Sequence, residues 1–421
     1  MELVPNSEKI IPSNQFSLKK NFLFTLVGNL SYAFSQLMII LLIAKFGTPE
    51  MVGRYALALA ITAPVFLLVN VNLRTIQATD TKNEYKFIEY FYNRNIANII
   101  GLLIIWIILS GINLNKETQI IVFIMAFCRI FESICDVSFG LFQQHERMDF
   151  VSVSKIIQSL LSVLFVTIAI ILFNNIGLAV ALIGLSFLLT FLIYNLKKIY
   201  IITGTRLDIF KRKVDFKKII VLFVTGLPLG IAASLDSFNA NIPRYFLQYY
   251  MDEKSVGFFS AIAFIMASGG MIITSMAQSV TPRLARLYNT NLKSFRNLIR
   301  KLIILAVGIG LIGVLVSWLS GDIILGALYG PEYKNYNNIF VLIMIGAAIW
   351  YMSSFLGTAL VSTRKFNSQM TIYVITTIVS LAASFFLIPL YGLTGAALTV
   401  VLCHITRLTI TFILYYLYTK V

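Results

Sequence analysis

GLPLGIAASLDSFNANIPRYFLQYY, residues 226–250, is an apolar stretch long enough to cross a bilayer, yet it carries Asp236, Asn239, Asn241, Pro243 and Arg244. An ionisable side chain in mid-bilayer costs about 2.5–3.5 kcal/mol on insertion scales, so it faces a partner or a wet cavity rather than lipid. Gly226-x-x-x-Gly230 with Pro228, and then Pro243, weaken the helix in two places. A breakable, polar span is the form in which membrane transport helices usually meet their cargo.

The rest of the chain supplies the setting for such a span. Its 421 residues are 58% hydrophobic and 12% charged, with a mean hydropathy of +0.84. A polytopic membrane protein reads like that and a soluble domain does not. Residues 1–18 are polar and hold Pro5 and Pro12 without an apolar core, so no cleavable signal is expected and the amino end should start in the cytoplasm. The net charge of +16 falls mostly in the connections between apolar runs, where topology and anionic headgroups account for it better than nucleic acid does. Cys128, Cys135 and Cys403 lie inside apolar segments without metal-ligand spacing to the two histidines, and read as packing residues. No phosphate-binding loop is present, and His145-Glu146 lacks the second histidine of a zinc-protease helix. No metal, cofactor or ATP-driven step is called for.

Apolar runs of membrane length fall near 20–44, 51–73, 87–110, 119–142, 152–173 and 177–196, then near 219–248, 255–279, 300–320, 337–361, 368–388 and 392–417. Alternate connections test that count. Of the 34 Lys and Arg, 25 fall on one side, among them Lys82, Lys86, Lys197, Lys198, Arg283 and Arg364, and only Lys45, Lys116, Lys254 and Lys334 fall on the other. The positive-inside rule then puts both termini in the cytoplasm.

Three ordered matches recur at offsets near 210 residues. Val52-Gly53 pairs with Val256-Gly257, Gly140 and Arg147 with Gly357 and Arg364, and Gly177-Leu178 with Gly392-Leu393. Duplicated halves with an even number of spans run parallel to each other. The expected architecture is therefore all-α, with twelve transmembrane helices in two six-helix lobes around a central cavity. Residues 1–200 form the N-terminal lobe, 201–218 a basic cytoplasmic linker, and 219–421 the C-terminal lobe.

Charges inside the spans are few. Arg54, Arg94, Arg129, Arg244 and Arg407 face only Glu132, Asp136 and Asp236, with His404 one turn from Arg407. Surplus guanidinium groups in a cavity call for an anion, and a planar fork suits pyrophosphate or an acidic sugar. Arg129, Glu132 and Asp136 share one helical face, and Arg94 reaches the depth of Asp136, which predicts an Arg94–Asp136 pair. Such pairs can equally serve helix packing alone. Asn29, within the polar stripe Thr25, Asn29, Tyr32 and Gln36, is a candidate cavity lining or coupling group, as are Glu132, Asp136, Asp236 and His404. Pro64, Pro228 and Pro243 are candidate gate or hinge positions.

From Lys19-Lys20-Asn21 through Val52-Gly53-Arg54-Tyr55-Ala56-Leu57 and Asn72-Leu73-Arg74, the chain resembles the Wzx-type polysaccharide flippases of the multidrug/oligosaccharidyl-lipid/polysaccharide exporter superfamily. Asn241-Ile242-Pro243-Arg244-Tyr245-Phe246 and Val256-Gly257-Phe258-Phe259-Ser260 are its most specific elements. The resemblance implies a V-shaped pair of lobes in a bacterial inner membrane. It also implies alternating access driven by an ion gradient or the membrane potential. The cargo it implies is an undecaprenyl-pyrophosphate-linked oligosaccharide destined for lipopolysaccharide or capsule, with membrane lipids and a polysaccharide polymerase complex as partners and no nucleic acid. Arg54, Arg94, Arg129, Arg244 and Arg407 are the expected substrate-binding residues. A cation-coupled multidrug exporter of the same superfamily is the alternative, which the arginine surplus opposes. A membrane polymerase or glycosyltransferase is the second alternative, but the longest outer connection, 320–336, lacks a clustered acid/base pair. The chain is not expected to be an enzyme.

Overall fold

The computed structural model describes residues 18–80, 84–204, 215–363 and 367–419, and every element in them is helical. Most of the linker expected at 201–218 lies outside the described residues. In chain order the helices are α1 (Leu18–Phe46), α2 (Pro49–Val69), α3 (Leu73–Thr79), α4 (Phe87–Gly111), α5 (Lys116–Gln144), α6 (Met148–Phe173), α7 (Ile176–Thr190), α8 (Leu196–Thr203), α9 (Phe216–Tyr250), α10 (Glu253–Thr290), α11 (Leu292–Tyr329), α12 (Asn337–Ser362) and α13 (Asn367–Thr419). Short polar residues start several of them. Asn175, Asp252 and Asn291 each accept the amide of the residue three positions on, at 2.9, 2.7 and 2.9 Å, and so satisfy one orphan donor of α7, α10 and α11.

Ten segments of the described residues are long and apolar enough to cross a membrane. Two facts reconcile this with the expected twelve. The 29-residue α5 has the length but carries Arg129, Glu132 and Asp136, and α13 folds back on itself at Gly392, where φ is 55° and ψ is −127°. Only glycine enters that region without strain, and Gly395 seals the turn so closely that a Cβ there would collide with the Leu387 carbonyl. Between α7 and α8 a π turn, Phe191–Asn195, keeps the two helices in one pass.

The chain divides into two compact units, one made of Met1–Ile39 and Val65–Ala233, the other of Ile40–Pro64 and Ser234–Val421. In the first unit α5 packs on α7 through Gly184, whose missing side chain admits Cys128, and the Cys128 thiol donates to the Val180 carbonyl at 2.9 Å. Ser162 and Ser186 tie α6 to α7 at 2.6 Å. The turn between α2 and α3 holds Val71 and Asn72 at positive φ, 45° and 49°. A β-branched residue there is strained, and α9 clamps it. Gly226 lies against the Val71 carbonyl and Gly230 against the Leu68 carbonyl, each too close for a Cβ. The glycine pair of residues 226–250 is thus a helix crossing, and α9 runs unbroken through Pro228 and Pro243 where the sequence suggested weak points.

In the second unit α2 meets α10 at the repeated Val-Gly signature. A Cβ on Gly53 would strike the Glu253 carbonyl, and a Cβ on Gly257 would strike the Pro49 carbonyl, a reciprocal contact between the two Val-Gly signatures. Tyr329 and Tyr351 donate to the Ala261 and Met266 carbonyls at 2.8 and 3.2 Å, joining α11 and α12 to α10. All three cysteines are free and buried, as packing residues should be.

Candidate functional site

Side chains three and seven residues apart return to the same helix face, so α5 presents Arg129, Glu132 and Asp136 together. Arg129 Nη1 donates to Glu132 Oε2 at 2.5 Å, while the Tyr32 hydroxyl on α1 donates to Glu132 Oε1 at 2.8 Å. One turn further, Asp136 accepts from two arginines. Arg94 Nη2 on α4 donates to its Oδ2 at 3.1 Å, and Arg74 Nη1 on α3 reaches its Oδ1 at 3.5 Å. Arg74 also donates to Gln143 at 3.2 Å and stacks over Phe139. From α6, Lys155 Nζ donates to Asn29 Oδ1 at 2.7 Å and lies 5.8 Å from the centre of the Tyr32 ring. It shares the electrostatic field of Arg74, Asp136 and Glu132.

The cluster therefore holds four cations, Arg74, Arg94, Arg129 and Lys155, around two carboxylates. Burial makes the imbalance matter. The Arg94 side chain is 2% exposed and Asp136 34%, and the buried Nε of Arg94 has no hydrogen-bond partner among the described residues. A buried donor without an acceptor is expensive, and a cation surplus in a low-dielectric interior attracts an anion over a longer range than it would in water. Chemically the arrangement can bind and orient an anionic, oxygen-rich group. It offers several forked donors and one mobile ammonium.

The other expected site residues lie in the second unit. Arg54 Nε is bound to Glu253 Oε2 at 2.7 Å, at the start of α10. Arg244 donates to Ser260 Oγ at 3.0 Å and to Asn241 Oδ1. Arg407 pairs with Asp236 at 3.3 Å and lies over the Tyr373 ring at 5.4 Å. His404 stacks on Trp350 with ring centres 5.8 Å apart. Pro64 is the last residue of its segment before the chain passes into the first unit, whereas Pro228 and Pro243 fall within α9.

Sequence reading missed Arg74 and Lys155 as members of the cluster, and had Tyr32 in the polar stripe of the first span without its partner Glu132. Lys155 follows an apolar start to its span and carries its own signal, since it lies inside α6 and not in a loop. Arg74 had none, because the left-handed turn at Val71–Asn72 that brings α3 back under α5 has no glycine to announce it.

Charge pairs buried within membrane-length helices, on this order of elements, define a multi-pass membrane protein with a transporter architecture. The lipid II flippase MurJ in an inward closed conformation shares the fold, with a TM-score of 0.72 at 13% identity over 95% of this chain and 87% of that one. So does an inward-facing multidrug resistance MATE family transporter of the MOP superfamily, with a TM-score of 0.70 at 15% identity over 95% and 98%. Sequence then narrows the class. Residues 18–288 match the family described as polysaccharide biosynthesis protein. The chain is 32% identical over 406 residues to the capsular polysaccharide biosynthesis protein CapF of Staphylococcus aureus, across 96% of this chain and 99% of that protein. It belongs to the polysaccharide biosynthesis protein family, and the resemblance to Wzx-type flippases holds in both family and fold.

Proposed function

We propose that the chain is a flippase that moves undecaprenyl-pyrophosphate-linked oligosaccharide repeat units from the inner to the outer leaflet of a bacterial cytoplasmic membrane. Alternating access carries the head, and both termini face the cytoplasm. The observation that supports this reading best is the cation surplus of Arg74, Arg94, Arg129 and Lys155 over Glu132 and Asp136. A pyrophosphate brings the missing negative charge and several acceptor oxygens, and its entry satisfies donors that the two carboxylates leave over. A cationic drug would meet repulsion at the same place, which disfavours a multidrug exporter.

Asp136 and Glu132 keep the cluster soluble in the protein between turnovers. With each arginine held by a carboxylate, the site binds an anion by exchange of partners rather than by a bare charge, so release stays feasible. Arg54, Arg244 and Arg407 take other parts of the cycle in this reading, Arg244 in gating and release. Flexing at Pro64 supports the change of access. A polysaccharide polymerase is the partner that would receive the exported unit.

Arg94→Ala and Arg129→Ala should each abolish surface polysaccharide while the protein still inserts and accumulates in the membrane. Normal polysaccharide in both variants would remove the cluster from the transport path. Cysteines placed at 197–204 should be labelled by an impermeant reagent only after the inner face is opened; labelling of intact cells would reverse the topology.

A further inference from the structure

A second polar site lies in the second unit, where the C-terminal halves of α10 and α12 meet the two ends of α13. It is a cavity of about 200 Å³. At ~30 Å³ per water that is space for about seven waters, and it is smaller than the ~300–1,000 Å³ typical of drug-sized sites. One sugar ring suits that size and an oligosaccharide does not.

Six hydroxyls line it, Ser354 and a set of five, Thr274, Thr281, Ser353, Thr358 and Thr411. Each of those five donates its proton to a carbonyl of its own helix, Gly270, Ala277, Trp350, Ser354 and Arg407 in turn, at 2.6–2.9 Å. A hydroxyl whose hydrogen is spent on the backbone offers only its oxygen lone pairs. Five of the six hydroxyls are therefore acceptors, and a ligand that meets them must bring donors. Gln369 and Arg407 add the donors of the lining, and Arg407 is its one formal charge. The Asp236 that pairs with Arg407 is not among the lining residues. Gly357 opens the floor, where a Cβ would come no nearer than 3.8 Å to any atom, that atom being Gln369 Nε2.

We infer that this cavity is a subsite for a single acidic sugar residue of the transported head group, its hydroxyls donating to the Ser and Thr oxygens and its carboxylate taken by Arg407. The inference rests on the flippase reading for its biological meaning. The binding itself does not.

The test uses the full chain in lipid nanodiscs with Trp106→Phe and Trp318→Phe, which leaves Trp350 as the remaining tryptophan. Those two are 62% and 66% exposed on the apolar surface. Trp350 stacks on His404, one turn from Arg407, and its carbonyl holds Ser353. Titration with D-glucuronate should give a saturable fluorescence change. D-glucose should bind about tenfold or more weakly, the factor that a lost charge-assisted hydrogen bond is worth. Arg407→Gln should erase that preference, and Gly357→Leu, which fills the cavity without touching a charge or the backbone, should abolish both responses. Unsaturable titrations, an unchanged Gly357→Leu response, or an equal response to inorganic phosphate would overturn the subsite. Export separates the two readings. If Gly357→Leu exports at the parent level while Arg94→Ala does not, the subsite falls and the flippase stands. If neither variant loses export, the flippase reading falls and the titration alone decides the subsite.

Discussion

Asp136→Asn should cost the fold more than Arg94→Leu, although the two residues are partners. Arg94 is 2% exposed and Asp136 is its carboxylate at 3.1 Å. No second carboxylate lies within ion-pair reach of Arg94 among the described residues. Removing the acid leaves a buried guanidinium without compensation, a loss of about 3–5 kcal/mol. Removing the arginine is different. Asp136 is 34% exposed and keeps Arg74 at 3.5 Å, so about 1 kcal/mol is expected, the scale of a half-solvated pair. The double variant removes both charges and should lie near the parent, which makes the coupling about 4–6 kcal/mol in magnitude. The measurement is apparent thermal stability of purified protein in one detergent, for the parent, both single variants and the double. Asp136→Asn should melt lowest, Arg94→Leu between, and the double near the parent. If Asp136→Asn melts at or above Arg94→Leu, the acid is not what compensates Arg94 and the account of the cluster fails.

Gly53→Val and Gly257→Val each drive a side chain into a facing carbonyl and should lower membrane accumulation and melting, by the ~1–3 kcal/mol of an overpacked contact. Gly392→Ala must place a Cβ at φ 55°, ψ −127°, and should destabilise by about 1–3 kcal/mol in the same melt, without changing the apparent size of the protein. Arg54→Glu and Glu253→Arg should each impair folding, and their combination should restore it, because the 2.7 Å pair is made between two side chains that are mostly buried. Failure of the swap to rescue would mean that Arg54 is held by something other than Glu253.

The bilayer made much of this fold legible. A segment must be about 20 residues long and mostly apolar to cross it, so length and polarity mark the spans. The repeated Val-Gly signature was visible as a repeat, but its meaning was not. Only the structure shows Gly53 and Gly257 lying against each other's helices. The pair Arg94–Asp136 was readable because depth and helical face both follow from position along a span. Arg74 was not, since its place depends on a strained turn at Val71–Asn72 that residue type argues against. The course of the helix past its prolines was not readable either. Pro228 and Pro243 promise a break, but the crossing at Gly226 and Gly230, and the Tyr245 hydroxyl on the Ala60 carbonyl at 2.5 Å, hold α9 to neighbours on both sides of them.

On the flippase proposal, what separates a structural arginine from a binding one is stoichiometry. In the second unit Arg54 has Glu253, one acid to one cation, between two side chains that are mostly buried. A one-to-one pair in a low-dielectric interior has satisfied its charge and fixes geometry. In the first unit Asp136 serves two arginines, and Lys155 is held by the neutral Asn29. There the charge is left over, and the forked guanidinium gives it direction. The consequence is a difference between two conservative changes: Arg94→Lys keeps the charge but loses the fork, and should fail in export while folding, whereas a charge-reversed Arg54–Glu253 pair should fold and export together. Equal export from both would mean that charge alone, and not its arrangement, is what the cluster supplies.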